Sequence, residues 1–465
     1  MELFTLDKPK DKIILSEDQE IALREIKNFL KSKKDVLTLS GFAGSGKTHL
    51  TKYLIADLYT NDHSYILIAP THKAKLVLSK FAGEEAFTLH QLLLLSPRIE
   101  IENFDIRFLE FIQNNNKEAK CEIPYGGLVI VDEASMINDD LYDILVAKCK
   151  EEKCKILFVG DKSQLRPVKN GKTSKVFDND NVIYLTKIHR QKENNPLSKL
   201  IFKARNEIIP RNELITSIDE LGSLYAFDEA KEFLRTSLPS FDEMVKSRDI
   251  LHCKLLTYTN ARVQKFNAAI RKNILNTDKE YVKGDIITCY DTSESGIYEY
   301  INSEDYFVNN VSFERQSLPE TRCSFSVINL ELKNSENKSH GWIPMLSKNN
   351  PSEDFSYLAE RIEQLRLIAL NEKKGTREYG KKWQNYFRLY NSFFSPVDLF
   401  YDNRLIKKKG FDYGYALTVH KSQGSSFDKV FIDIDSFKKC RDLEEVRQLQ
   451  YVGLSRTRSD IYVLK

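Results

Sequence analysis

The sequence predicts an α/β protein built from two parallel-sheet domains, each interrupted by an inserted subdomain. Three observations predict it. Short, continuous apolar runs such as Val36–Ser40 and Leu128–Val131 are each followed by a helical pattern, as in strands of a parallel sheet covered on both faces. The same βα alternation lapses in the middle of the chain and returns at Gly414. The 465 residues match roughly three domains at ~150 residues each.

Taken in order, Met1 to Ile13 alternates charged and apolar residues and lacks the apolar run of a secretion signal. Val36–Ser40 reads as a strand and the stretch after Gly46 as a helix. Tyr65–Ala69 is a strand followed by a helix over Lys73–Phe81, and Leu128–Val131 and Ile156–Val159 are two further strands. Between them, Ile99 and Ile101, then Ile106 and Phe108, alternate with charged residues around a possible turn at Glu102–Asp105. This suits a protruding β-hairpin with Phe104 near its tip, and equally a plain surface loop. Residues 1–195 thus form a first domain with an insertion at about 88–125.

In the second domain Leu255–Tyr258 is a strand. Arg262–Ile274 is a helix with Val263, Phe266, Ile270 and Ile274 on one face. From Tyr281 to Ile343 short strands and polar turns suggest a small barrel, followed by a helix over Asp354–Leu370. Val430–Ile434 and Ile461–Leu464 close the chain as strands. The second domain is therefore expected at 196–280 and 401–465, with 281–400 inserted.

Composition limits the function classes. Lys and Arg total 70 against 67 Asp and Glu, so any nucleic-acid partner must be met by a local patch. The 7 cysteines form no CxxC pair and read as reduced thiols, not as a zinc or disulfide framework. No apolar stretch is long enough to span a membrane.

The strongest chemical signal is Gly41-Phe42-Ala43-Gly44-Ser45-Gly46-Lys47-Thr48, after a strand and at the start of a helix. Glycines allow the tight turn that points backbone N–H groups at phosphates, and the helix N-terminus adds partial positive charge. Lys47 is placed to neutralise the β/γ-phosphates, and Thr48 to coordinate Mg²⁺. Leu128–Val131 delivers Asp132 and Glu133 at a strand end: Asp132 for the Mg²⁺ shell, Glu133 to orient or deprotonate the attacking water. Together these residues say hydrolysis of a nucleoside triphosphate with Mg²⁺.

Further segments make the chain resemble superfamily 1 helicases, within them the 5′→3′ branch of RecD-like and phage Dda-like enzymes. Gln19, in Leu-Ser-Glu-Asp-Gln, looks like the Q motif that reads the adenine edge. Ala69-Pro70-Thr71-His72-Lys73-Ala-Lys75 and Thr88-Leu-His90 resemble strand-contacting motifs, and Gly160 to Pro167 resembles motif III, with Gln164 as γ-phosphate sensor. Leu185 to Arg190 resembles motif IV, with Arg190 facing the phosphates. Tyr415 to Gly424 resembles motif V, with Thr418 and His420 on the strand. Tyr451 to Arg458 resembles motif VI, with Arg456 as arginine finger. The match runs almost the whole chain in the family's order.

The resemblance implies two RecA-like P-loop domains, a β-hairpin pin carrying Phe104 in the first, and an SH3-like barrel with a helical region in the second. It implies an ATP hydrolase that moves 5′→3′ on single-stranded DNA, opens forked duplexes, acts as a monomer and works with single-strand-binding, replication or repair proteins. It places the protein in a bacterial cytoplasm or a phage-infected cell, on the nucleoid. Arg190 and Arg456 lie far along the chain from Lys47, so they serve one triphosphate only if the second domain closes over it, making a nucleotide-gated hinge.

Lys373–Lys409 is also basic, net +7, with interleaved aromatics. Tyr379, Trp383, Phe387 and Tyr390 recur at helical spacing, which fits core packing or base stacking. A translocase without strong unwinding, an RNA helicase and a nucleotide-switched binding protein remain as alternatives. No nuclease constellation accompanies the motor motifs.

Overall fold

The computed structural model describes residues 15–97, 111–113, 121–167, 173–186, 196–295, 298–373 and 376–465. Arg190 and the expected hairpin tip with Phe104 lie outside them. The chain divides into two units, Met1–Leu94 with Asn116–Ser198 and Leu95–Asn115 with Lys199–Lys465.

In the first unit α1 (Glu17–Lys31) is followed by β1 (Val36–Gly41), α2 (Lys47–Thr60), β2 (Tyr65–Ala69), α3 (His72–Ala82), β3 (Ala86–Thr88) and the short α4 (Leu89–Leu92). β4 (Leu95–Pro97) and β5 (Phe111–Gln113), which pair antiparallel, belong to the second unit, and the first resumes with β6 (Leu128–Val131), α5 (Asp139–Glu151), β7 (Lys155–Gly160) and β8 (Val182–Leu185). Six strands form a parallel sheet in the order β3-β2-β6-β7-β1-β8. On one face Leu37, Leu39, Ile130, Leu157 and Val159 pack with Ile26 of α1 and Leu54 of α2, and on the other Val129, Val131, Ile156 and Phe158 are buried too, so the apolar runs are runs because both faces are covered. Because all strands run one way, their carboxyl ends share an edge, where crossover sheets of this kind bind ligands. The register sets Ser40 opposite Gly160 and Val131 opposite Phe158 at that edge.

The second unit begins with α6 (Pro196–Asn206), β9 (Leu224–Phe227), α7 (Ala230–Ser247), β10 (Cys253–Thr257) and α8 (Asn260–Leu275). Then come β11 (Ile286–Cys289), β12 (Ser293–Ser295), β13 (Tyr298–Tyr300), β14 (Asp305–Ser317), β15 (Ser324–Lys333), β16 (Ser339–Leu346), α9 (Ser352–Leu370) and α10 (Arg377–Asn391). The chain ends with β17 (Leu399–Tyr401), β18 (Arg404–Lys407), β19 (Phe411–Tyr413), β20 (Ala416–Thr418), β21 (Phe427–Asp433), α11 (Leu443–Leu454) and β22 (Thr457–Leu464). A second parallel sheet has the order β20-β10-β21-β22-β9.

The insertion is an antiparallel sheet in the order β16-β15-β14-β11-β19. Phe394–Ser395 links its outer strands: the backbones of Phe394 and Pro344 bond at 2.7 Å, and Gly410 N donates to Ser395 O at 2.8 Å. That linkage removes exposed edges, as in a barrel. The insertion runs further than expected. β19 pairs with β11, and the parallel sheet resumes only at Ala416, not at residue 401.

The helical region also differs from expectation. The buried face of α10 carries Tyr386 and Leu389, which with Phe393 join Leu358 and Ile362 of α9 in one core. Trp383 and Tyr390 pack at its margin, whereas Phe387 is 47% exposed, so the four-aromatic stripe is not one face. Lys407, counted as surface charge, is buried and donates to Phe393 O at 2.7 Å. All 7 cysteines are free thiols, as expected. No helix among the described residues is long and apolar enough to cross a membrane.

Buried ion pairs join the barrel to the second parallel sheet. Lys254 of β10 donates to Asp305 of β14 at 2.8 Å and to Gly414 O at 2.5 Å, and Thr288 donates to the same carboxylate. Arg271 of α8 holds Asp285 through two bonds of 2.6 and 2.9 Å. Losing one partner of such a pair leaves an uncompensated charge in the interior. Lys254→Met is therefore expected to destabilise the second unit by about 3–5 kcal/mol. Urea unfolding checks this, and adding Asp305→Asn to Lys254→Met should recover part of the loss.

Candidate functional site

The glycine-rich loop leaves β1 and enters α2 with Gly44 at φ 84° and Gly46 at φ 78°, a conformation glycine adopts without strain. Gly41 is required by space, since a Cβ there would meet Ser45 Oγ at 2.5 Å and Leu185 Cβ at 3.0 Å. Lys47 Nζ donates to the carbonyls of Gly41 and Phe42, 2.8 Å each, so the ammonium lies over its own loop. Thr48 is half-buried in the first turn of α2.

Gln19 sits against this loop. Its Oε1 accepts from Ser16 N at 3.0 Å, and its Nε2 donates to Ser45 O at 3.3 Å and Gly46 O at 3.5 Å. The amide expected to read an adenine edge here caps α1 and braces the loop.

Asp132 follows β6, and its Oδ1 accepts from Glu133 N at 2.9 Å. Burial, then the adjacent Glu133 charge, pushes its carboxyl up to about 7, while Lys47 pulls it down. Lys47 and Asp132 are thus within electrostatic reach. Glu133 adopts φ 50°, an uncommon backbone for a non-glycine residue and one that active sites store. At the end of β7, a Cβ on Gly160 would meet Ser135 N at 3.2 Å, so the turn after Glu133 presses on the start of the Gly160–Pro167 loop. Ser163 N donates to Asp161 Oδ1 at 3.0 Å and shapes the turn that carries Gln164.

The buried atoms Ser40 Oγ, Ser45 Oγ, Ser135 Oγ and Gln164 Oε1 have no hydrogen-bond partner among the described residues. Interiors satisfy nearly all such atoms, so four along one sheet edge mark a place for a polar ligand. Ser40 and Ser135 were not singled out in the sequence. Their signal is position alone, a short hydroxyl residue directly before the glycine loop and two residues past the acid pair.

The expected strand-contact residues gather in two places. In the first unit Pro70, Thr71, His72 and Lys73 follow β2, and Thr88 and His90 follow β3. These two strands are neighbours. Thr71 Oγ1 accepts from Ala74 N and Thr88 Oγ1 from Gln91 N, 3.2 Å each, so both hydroxyls cap helices. Burial and the facing His72 hold the His90 imidazole below its ordinary pKa. In the second unit Thr418 ends β20 and His420 follows it, with Nε2 3.4 Å from Glu445 Oε1. Burial lowers the His420 pKa against that carboxylate.

Arg456 is buried within the second unit. Its Nε donates to Val452 O at 3.1 Å, and its two terminal nitrogens donate to Ser425 O at 3.1 Å and Ser455 Oγ at 3.0 Å. Gln423 Nε2 and Ser425 Oγ, in the neighbouring loop, are again buried without partners among the described residues.

Residues 14–224 match the family model described as an AAA domain, and 413–464 the UvrD-like helicase C-terminal domain. The chain is 29% identical to the ATP-dependent DNA helicase dda of Enterobacteria phage T4, over 96% of its own length and 98% of the phage protein. The chain is a helicase similar to the Dda- and RecD-like superfamily 1 enzymes. This helicase chain is also 33% identical to the ATP-dependent RecD2 DNA helicase of Deinococcus radiodurans, over 39% of its length and 23% of that protein's. Its fold is similar to the crystal structure of Pif1 helicase from Candida albicans (TM-score 0.50, 17% identity, 98% of this chain and 95% of the other).

In this helicase the sheet edge with Lys47, Asp132, Glu133 and Gln164 is suited to triphosphate hydrolysis. Lys47→Ala is expected to lower ATP turnover by at least about 100-fold, measured as steady-state phosphate release. Glu133→Gln should retain nucleotide in a filter-binding assay while phosphate release falls.

Proposed function

We propose that the protein is an ATP-dependent DNA helicase that translocates 5′→3′ on a single strand and parts the duplex ahead of it. The observation that carries this reading is that buried, unsatisfied polar atoms fall at motif positions, Ser45, Gln164 and Gln423, or directly beside them, Ser135 and Ser425.

In this reading Lys47 exchanges its two loop carbonyls for β/γ-phosphate oxygens. Thr48 and Asp132 would hold Mg²⁺, and the residues fit it: burial and Glu133 drive the Asp132 carboxyl toward neutrality, so a divalent cation restores the carboxylate. The ion neutralises developing charge on the phosphates. Glu133 orients the attacking water, and Gln164 turns its unpartnered carbonyl side to the reacting group. Arg190 and Arg456 meet the γ-phosphate when the second domain closes. Arg456 must then release Val452, Ser425 and Ser455. Since Ser425 follows Gly424 of motif V, that release frees the loop that carries Thr418 and His420. Nucleotide state is thereby coupled to grip on the strand.

Pro70, Thr71, His72, Lys73, Thr88 and His90 hold the strand on one side, Thr418 and His420 on the other. These groups suit phosphate and sugar contacts without base readout. The wedge is Phe104, at the chain midpoint between Pro97 and Phe111, which pair at the base of an antiparallel ladder. A ring at a fork replaces a lost base stack worth about 1–3 kcal/mol.

Single strands carrying one duplex block at either end test the polarity. Displacement of the block met by 5′→3′ movement is expected, and displacement of the opposite block alone rejects that direction. Phe104→Ala should slow duplex opening at least about fivefold while strand-stimulated ATP hydrolysis stays near wild type. Equal loss of both activities argues against a wedge.

A further inference from the structure

The loop after β20 carries a cation that the motor reading leaves unused. Lys421 Nζ stands 3.3 Å from the centroid of the Tyr290 ring, and Lys409 Nζ stands 3.9 Å from the same centroid. The three residues come from different segments. Tyr290 directly follows β11 of the barrel, Lys409 precedes β19, and Lys421 lies in the loop of the parallel sheet.

Their charges are unevenly matched. Lys409 is paired with Asp412 at 2.8 Å. The Lys421 ammonium has no carboxylate or hydrogen-bond acceptor among the described residues, and its support is the face of one ring shared with a second cation. The other charged or titratable groups around it are Lys408, Asp412 and Cys289. Asp291, one residue past Tyr290, interacts with Lys407 and Lys408. Burial, then the like charge of Lys409, pulls the Lys421 ammonium down to about 7. Two ammonium groups on one ring share a single close carboxylate, Asp412, which is bonded to Lys409, so one positive charge is left over and an anion beside Lys421 would balance it.

The anion that suits this cluster is a phosphate oxygen. It could belong to the strand or to the nucleotide, and placement favours the strand. Lys421 N donates to Thr418 Oγ1 at 3.4 Å, so the ammonium belongs to the same turn as Thr418 and His420. The nucleotide phosphates already have the glycine-rich loop and Lys47.

We propose that Lys421 and Lys409, backed by the Tyr290 ring, form a phosphate-binding subsite for the single strand that ties the inserted barrel to the motif V loop; the proposal rests on the helicase reading above. Through it the barrel is anchored to the strand at the same turn that answers to Arg456.

The test is anisotropy titration of a short fluorescent oligothymidylate with the full chain at several salt concentrations, for wild type, Lys421→Met and Lys421→Arg. Lys421→Met should bind about fivefold more weakly at low salt, with a log–log salt slope shallower by about 0.7, one phosphate contact fewer. Lys421→Arg should keep the wild-type slope. A thermal midpoint for Lys421→Met equal to wild type excludes a folding defect, and Lys421→Gln serves the same test if methionine perturbs the fold. An unchanged slope overturns the subsite. So does a variant that instead weakens binding of a fluorescent ATP analogue, which would assign Lys421 to the nucleotide. Wild type that fails to bind the oligonucleotide overturns the helicase reading and the subsite together. Wild type that binds and opens duplexes, beside an unaltered Lys421→Met, overturns the subsite alone.

Discussion

The carboxyl edge of a parallel sheet must hold a lysine, two adjacent carboxylates and a buried glutamine together, and the rest of the first unit follows from that constraint. β7 lies between β6 and β1, so the acid pair and the glycine loop arrive on strands one place apart, with Gln164 leaving the strand between them. Two carboxylates this close repel each other, and burial makes that repulsion costlier. The Asp132 carboxyl is accordingly driven up to about 7. Such a site is stable because covered strands on both sides over-determine its backbone, including the positive φ of Glu133. Gly160 matters for the same reason. Its missing side chain lets the acid turn and the glutamine turn touch, so displacement of one is felt by the other.

The second unit spends its buried charge differently. Lys254–Asp305 and Arg271–Asp285 are structural pairs that fix the barrel on the parallel sheet. Each is completed by further hydrogen bonds, so each is satisfied without a ligand. Lys421 and Arg456 are the contrast. Arg456 has two carbonyls and a hydroxyl among its partners, neutral acceptors that a phosphate oxygen outcompetes because charge-assisted bonds are about twice as strong. Lys421 has an aromatic face where the structural lysines have carboxylates. In the proposed reading Arg456 and Lys421 are the cations that exchange partners, while Lys254 and Arg271 keep theirs.

Much of this was legible in the sequence, for identifiable reasons. Val36–Ser40 and Leu128–Val131 read as strands because burial on both faces leaves no polar positions, and the glycine loop read as a phosphate cradle because few other functions need that spacing. The end of the insertion was only partly legible, since the βα alternation was read to return at Gly414 while the domain boundary was set at 401. Phe411–Tyr413 and Ala416–Thr418 belong to different sheets but are only two residues apart, so the run looks like one βα segment. The α10 stripe failed because two sets of aromatics overlap at helical spacing, and only packing against α9 selects Tyr386 and Leu389. Lys407 was counted as surface charge because composition cannot tell a lysine that covers Phe393 from one in water. The unsatisfied Ser135, Gln164 and Ser425 atoms lie beyond sequence reading altogether, since an orphaned hydrogen bond is a property of the assembled fold.

Thr71 and Thr88, which the proposed reading sets beside the strand, show how a helix cap can fix a side chain that also has a proton to donate. Thr71 and Thr88 each accept a helix N–H, and that bond fixes the side-chain rotamer. A hydroxyl carries one proton besides its acceptor lone pairs, so the cap leaves its donor capacity intact and pre-aimed. In the proposed reading, capping holds the Thr71 donor in place before any strand arrives, at no added ordering cost on binding, whereas Thr88 is 1% exposed and serves the cap first. Valine would keep the shape and lose both bonds; serine would keep both with a looser rotamer, because only the β-branched side chain is stiff about its first torsion. The residue type at these two positions is thus set by the helix that follows and, in the proposed reading, by the strand as well.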